Sequence, residues 1–110
     1  MAAYFIAHGT LKDPKKMEEY VAKSGPIFAE HGGHFLTVGE VKTVLTGSHG
    51  HKRTAIFVFP DVASAEACYN SEAYRALWPL RHEAGDFDFI VMEEYGTAAR
   101  KLHEDSDHAE

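Results

Sequence analysis

The spacing of apolar positions changes several times along the chain, and each change marks an element. Residues 3–9, Ala-Tyr-Phe-Ile-Ala-His-Gly, are aromatic and β-branched and run into a polar turn, which predicts a first strand. Asp13-Pro14 then opens a helix, with the aspartate as N-cap and the proline at a position where its missing N–H is harmless. Met17, Tyr20, Val21, Ser24, Ile27 and Phe28 follow at i, i+3, i+4, i+7 spacing, one apolar stripe with a small residue in its middle. Gly25-Pro26 predicts a kink rather than two helices, and Gly32-Gly33 a left-handed helix end. A second strand is expected from His34 to Val38, with a short continuation from Val41 to Leu45 and a flexible connection over residues 46–51. Residues 53–59 are nearly all strand formers and are stopped by Pro60. Asp61 caps a short helix in which Val62, Ala65, Cys68 and Tyr69 share a face. Asn70, suited to a left-handed C-cap, and Ser71, suited to capping the next helix, break the pattern. Tyr74, Leu77, Trp78 and Arg81 then stack at helical spacing as far as Gly85, despite Pro79. A last strand covers Phe87 to Glu94.

The resulting order, β-α-β-β-α-β, is the split βαβ of the ferredoxin-like fold, an α+β architecture. Right-handed crossovers place the first and third strands centrally in a four-stranded antiparallel sheet, with the helices on one face. One domain over residues 1–95 and a mobile polar tail over 96–110 are expected. A sheet covered on one side should alternate apolar and polar residues, and this one does not. Tyr4 and Ile6 oppose Phe5 and Ala7; Ile56 and Val58 oppose Ala55, Phe57 and Phe59; Ile90 and Met92 oppose Phe87, Phe89 and Val91. Two apolar faces need two covers, and a second copy of the chain, sheet against sheet, is the simplest second one. A homodimer is therefore expected.

Composition narrows the partners. With 17 acidic and 11 basic residues the net charge is −6, and no basic cluster stands out, which disfavours nucleic acid. No apolar run is long enough for a membrane span, and the first residues lack the basic and apolar segments of a signal peptide. The lone cysteine, Cys68, rules out an intrachain disulfide and makes the cytoplasm the expected location. Cys68 itself reads as a small buried hydrophobe.

The run Phe59-Pro60-Asp61, then Tyr69-Asn70-Ser71-Glu72-Ala73-Tyr74, Leu77 and Arg81, resembles the family named domain of unknown function 1330. So do Ala3-Tyr4-Phe5-Ile6, the Asp13-Pro14 helix start, Pro26 and Gly32-Gly33. The resemblance covers roughly residues 1 to 95 and implies a dimeric α+β barrel of two ferredoxin-like chains. The wider fold group includes cofactor-free oxygenases, lactone isomerases and haem-handling enzymes, among which fold does not choose. Two departures from the family pattern are Cys68, in place of a bulky apolar residue, and His34, where arginine is common.

Tyr74, Trp78 and Arg81 fall on one helical stripe. One reading makes this an aromatic pocket with Arg81 clamping a carboxylate; the other makes Arg81 the partner of a structural acid such as Glu93. His8, ending an apolar strand face, is the candidate general base, and His34 a second histidine for the same cavity. His8, Tyr74 and Arg81 are thus the expected catalytic set, and His34, Ser71, Trp78 and Glu93 the expected ligand contacts. Ser71 is also fully explained as a cap. His49-x-His51 has metal-compatible spacing in a glycine-rich loop without cysteines or carboxylates, so no metal is expected there. The expected function is a small-molecule-binding dimer, acting without cofactor as an oxygenase or isomerase on a small anionic compound. A non-catalytic binding or scaffolding dimer is the alternative, and a haem or metal site at His8 or His34 a weaker one.

Overall fold

The chain forms β1 (Ala3–Leu11), α1 (Pro14–Glu30), β2 (His34–Glu40), β3 (Arg53–Phe59), α2 (Val62–Asn70), α3 (Glu72–Arg75), α4 (Trp78–Ala84) and β4 (Gly85–Glu93) in a computed structural model that describes residues 1–95. The expected tail, 96–110, lies outside the described residues. The strands make one antiparallel sheet in the order β2-β3-β1-β4, with β1 and β3 central, which is the ferredoxin-like α+β arrangement.

Local chemistry explains most of the boundaries. Asp13 accepts hydrogen bonds from the Lys15 and Lys16 amides, with Pro14 at the first helical position. α1 runs through Pro26 as one helix. A proline ring crowds the Cβ of the residue before it, and Gly25 has none. Gly32, at φ +82°, supplies the left-handed turn that ends the helix. Asp61 accepts from the Ser64 amide at 2.7 Å to start α2.

Four details differ from the sequence pattern. β1 extends to Leu11 because β4 begins earlier, at Gly85, and the two residues pair. Residues 41–45 are not a strand: the β2–β3 ladder ends at Glu40 opposite Arg53, and past it, among the described residues, one further backbone bond follows, from the Val41 amide to the Lys52 carbonyl at 2.6 Å. Asn70 is not left-handed; its side chain donates back to the Glu66 carbonyl, and Ser71 alone makes the break. The helix expected from Tyr74 to Arg81 is two pieces. Pro79 has no N–H to give the Arg75 carbonyl, so α3 stops there and Pro79 joins the first turn of α4 instead.

The helices cover one sheet face. Phe5 on β1, with Phe57 and Phe59 on β3 and Phe89 on β4, packs against Phe28 of α1 and Tyr69 of α2. Cys68 is fully buried in the same core, and burial pushes its thiol up to about 11, which keeps it a neutral hydrophobe. The other face carries Tyr4, Ile6, Ile56, Val58, Ile90 and Met92 in paired register, with Ile90 and Met92 about half exposed (50% and 49%). One β-bulge interrupts β2, between Phe35 and Thr37.

The Asp61 cap gives a pH dependence. Hydrogen bonds from Ser64, hydroxyl first and amide second, hold its carboxyl below the usual value of 3.8. A depressed carboxyl stabilises the fold when ionised, so its contribution is present at neutral pH and lost as the pH falls through the folded value. Melting temperatures of the wild type and Asp61→Asn should accordingly differ at pH 6 and converge as the pH falls through the lowered folded value. A gap that persists at low pH would show that the cap acts without its charge.

Candidate functional site

Small residues face each other where α1 crosses the sheet. Ala7 and Gly9 on β1 and Ala55 on β3 lie opposite Ser24 and Gly25 on α1, and the space between is a cavity of about 390 Å3. Phenylalanine rings wall it: Phe5, Phe28, Phe57, Phe87 and Phe89. Its outer side lies between α1 and β2, where Val21, Phe35 and Val38 are exposed (55%, 61% and 47%). Arg53, also exposed, contributes to this wall.

The buried polar groups at the cavity are two hydroxyls, Tyr20 and Ser24. Tyr20 hydrogen-bonds the Tyr74 hydroxyl at 2.5 Å, and Arg81 Nη1 donates to that same Tyr74 oxygen at 3.2 Å. Burial above all, and then the neighbouring phenol, raises the Tyr20 pKa far above the ordinary tyrosine value, and burial likewise raises that of Tyr74. Both are neutral donors at any biological pH. The Arg81 guanidinium is held by rings: Phe89 at 5.1 Å, and Tyr69, Tyr74 and Trp78 each at 5.7 Å. Burial opposes its charge, but hydrogen bonding to Tyr74 and Tyr69 outweighs this and its pKa is raised. Among the described residues no carboxylate pairs with it. It lines a second recess of about 290 Å3 beside Glu66, Tyr69 and Asn70, and Phe5, Phe87 and Phe89 form walls of both spaces.

The structure brings Tyr74, Trp78 and Arg81 together and separates His8 from them. His8 shares the open face of the sheet with Tyr4 and Ile6, whereas Arg81 lies over Phe89 on the helix-covered face. The expected convergence of His8 and Arg81 is thereby corrected: strand alternation that puts Phe5 inward puts His8 outward. His8 Nδ1 instead meets Thr54 Oγ1 at 2.9 Å, with the His49 ring 5.0 Å away. His51 beside them is held by Thr10 at Nδ1 and by Asp88 at Nε2, 2.8 and 3.0 Å. His34 is on the same open face but opposite Val58, four rows along β3 from the Thr54 that faces His8, so the two histidines do not meet. Among the described residues no three His, Cys, Asp or Glu side chains are placed to hold a metal ion. Glu93 is exposed and does not pair with Arg81, and Ser71 is engaged as a cap, accepting from the Tyr74 amide and donating to the Cys68 carbonyl. Trp78 Nε1 is buried with no partner among the described residues.

Tyr20, Ser24 and Tyr69 are the site residues that the sequence pattern did not single out. The signal lay in the α1 stripe: a serine at a buried position, followed by glycine, leaves volume where a core helix would place a large side chain.

The fold has several solved counterparts. A protein of unknown function from Rhodopseudomonas palustris, RPA0582, superposes with a TM-score of 0.68 at 20% identity, over 84% of this chain and 82% of that one. SnoaB, a cofactor-independent oxygenase from Streptomyces nogalater, gives 0.62 at 13% identity, over 84% and 92%. A dimeric ferredoxin-like protein of unknown function from Jannaschia sp. CCS1 gives 0.56 at 10% identity, over 86% and 100%. At these identities the likeness shows the fold alone. No curated protein matches the sequence. A family model does match it, over residues 2–95, which is all but the first residue of the described fold, and the chain belongs to that family, the domain of unknown function DUF1330.

Proposed function

We propose that the protein is a cytoplasmic homodimer that binds a small organic molecule in the cavity beneath α1. In the catalytic form of this reading it is a cofactor-independent oxygenase or isomerase acting on a compound that carries or develops negative charge. The observation that carries the proposal is the cavity itself. Its volume lies in the usual range for ligand sites, and its apolar walls meet a short set of buried polar groups. Tyr20 and Ser24 are its hydrogen-bonding groups, and Tyr74 and then Arg81 stand behind Tyr20. The fold shared with a cofactor-independent oxygenase is consistent with this class of chemistry. Binding without catalysis is the second reading, and one observation favours it: the residues lining the cavity include no carboxylate and no imidazole to remove a proton.

A thermal-shift screen of flat, naphthalene-sized compounds tests the site. Several should raise the melting temperature of the wild type and none that of Ala55→Phe, which fills the cavity from β3. Oxygen uptake or product formation with the compounds that bind then separates the two readings. If nothing binds, or if Ala55→Phe binds as well as the wild type, the cavity is not the site.

A further inference from the structure

The hydrogen-bond chain ending at the cavity has a direction. Arginine can only donate, so Arg81 Nη1 gives a hydrogen to the Tyr74 oxygen. Tyr74 is fully buried, and among the described residues its hydroxyl meets only Arg81 and Tyr20. If Tyr74 accepted from both, its own hydrogen would be buried without an acceptor, a cost that protein interiors avoid. Tyr74 therefore donates to Tyr20, and the Tyr20 hydrogen is left to be given at the cavity wall. The Ser24 hydroxyl beside it acts as a donor, to the Tyr20 oxygen or to the Val21 carbonyl at 3.5 Å, and so leaves the Tyr20 hydrogen free.

We infer that Tyr20 is a hydrogen-bond donor to a ligand oxygen, so that the cavity selects a flat, apolar molecule bearing a single ketone, enol or phenol oxygen. Arg81 does not line this cavity and acts as the positioning residue that fixes the direction of the chain. The inference rests on the proposal that the cavity is the ligand site. A charged donor at the far end polarises each bond after it, which strengthens the last donor most when the ligand oxygen gains negative charge. In the buried part of the cavity the phenylalanine walls offer nothing to a second polar group beyond the Ser24 hydroxyl, and the lining cation, Arg53, is exposed.

The test uses 2-acetonaphthone labelled with 13C at its carbonyl, and 2-ethylnaphthalene as the shape-matched control without oxygen. Wild-type protein should bind the ketone about tenfold more tightly than the control, the worth of one good hydrogen bond. Infrared spectra should show the bound carbonyl stretch below its frequency in an alkane solvent. Tyr20→Phe should abolish both the preference and the shift. Tyr74→Phe and Arg81→Met should each shrink the shift, and Arg81→Lys, which still donates, should retain part of it. Should Arg81→Met fail to fold, the nearly isosteric Tyr74→Phe still decides the matter. If both naphthalenes bind but the carbonyl frequency is the same in the wild type, Tyr20→Phe and Tyr74→Phe, the donor assignment is overturned and the cavity reading stands. If neither probe binds, the cavity reading fails and this inference with it.

Discussion

Replacing Ile56 by lysine is expected to leave the protein monomeric in sedimentation, where the wild type is expected to sediment as a dimer at micromolar concentration. Ile56 lies in the middle of the open sheet face, paired with Ile6 and two strands from Ile90. Tyr4, Val58 and Met92 continue the apolar surface one pleat further along the strands. A contiguous apolar face of this kind is uncommon on a monomer, and the helices are already committed to the other side. Two such faces stacked about a two-fold axis would bury more than about 1,000 Å2, the usual floor for a specific contact. A lysine at the centre puts an ammonium from each copy into that contact without a partner, at several kcal/mol apiece. The dimer affinity should then fall by about a thousandfold or more. The fold should survive, because Ile56 points away from the helix-covered core. A wild type that sediments as a stable monomer would remove the dimer, and with it the explanation for the second apolar face.

Phe5→Ala is expected to cost about 3–5 kcal/mol, as for other large aromatic deletions from a packed core. Phe5 is 2% exposed and sits among Phe28, Phe57, Phe59, Tyr69 and Phe89, with ring centroids 5.1–6.5 Å apart. No neighbour can readily move in to fill the space, since the five rings are anchored on four different elements. With a typical domain stability of about 5–15 kcal/mol, the variant should show a large fall in the denaturant midpoint. It should also open the α1 cavity into the Arg81 recess, because Phe5 is a wall of both. A loss below about 1 kcal/mol would mean that the ring cluster is not the centre of the core.

The strand faces were legible because period-two alternation is a local property: Phe5 and Ile6 must point in opposite directions whatever else the chain does. Element order was legible for the same reason, from caps such as Asp13 and Asp61 and from the stop at Pro60. Elements that depend on partners were less so. Residues 41–45 look like strand formers, but a strand exists only where another lies beside it. The candidate site was legible in part. Helical spacing placed Tyr74, Trp78 and Arg81 together, and they meet even though Pro79 divides their helix. Tyr20 was hidden, because its bond to Tyr74 joins residues 54 positions apart, and no local pattern carries that. His8 was assigned to the right face of its strand, but a strand read alone does not say which face the helices cover.

The bulge between Phe35 and Thr37 bears on how the protein avoids growing into fibres. A sheet with two free margins invites addition of further strands, and such addition has no natural end. Here one margin, β2, is bent out of regular register by the bulge, and the other, β4, carries Asp86, Asp88 and Glu93 within nine residues. Both devices discourage a neighbour from docking alongside. Growth in the plane of the sheet is thus obstructed at each margin, while stacking one copy on another through a shared patch closes on itself and stops at two.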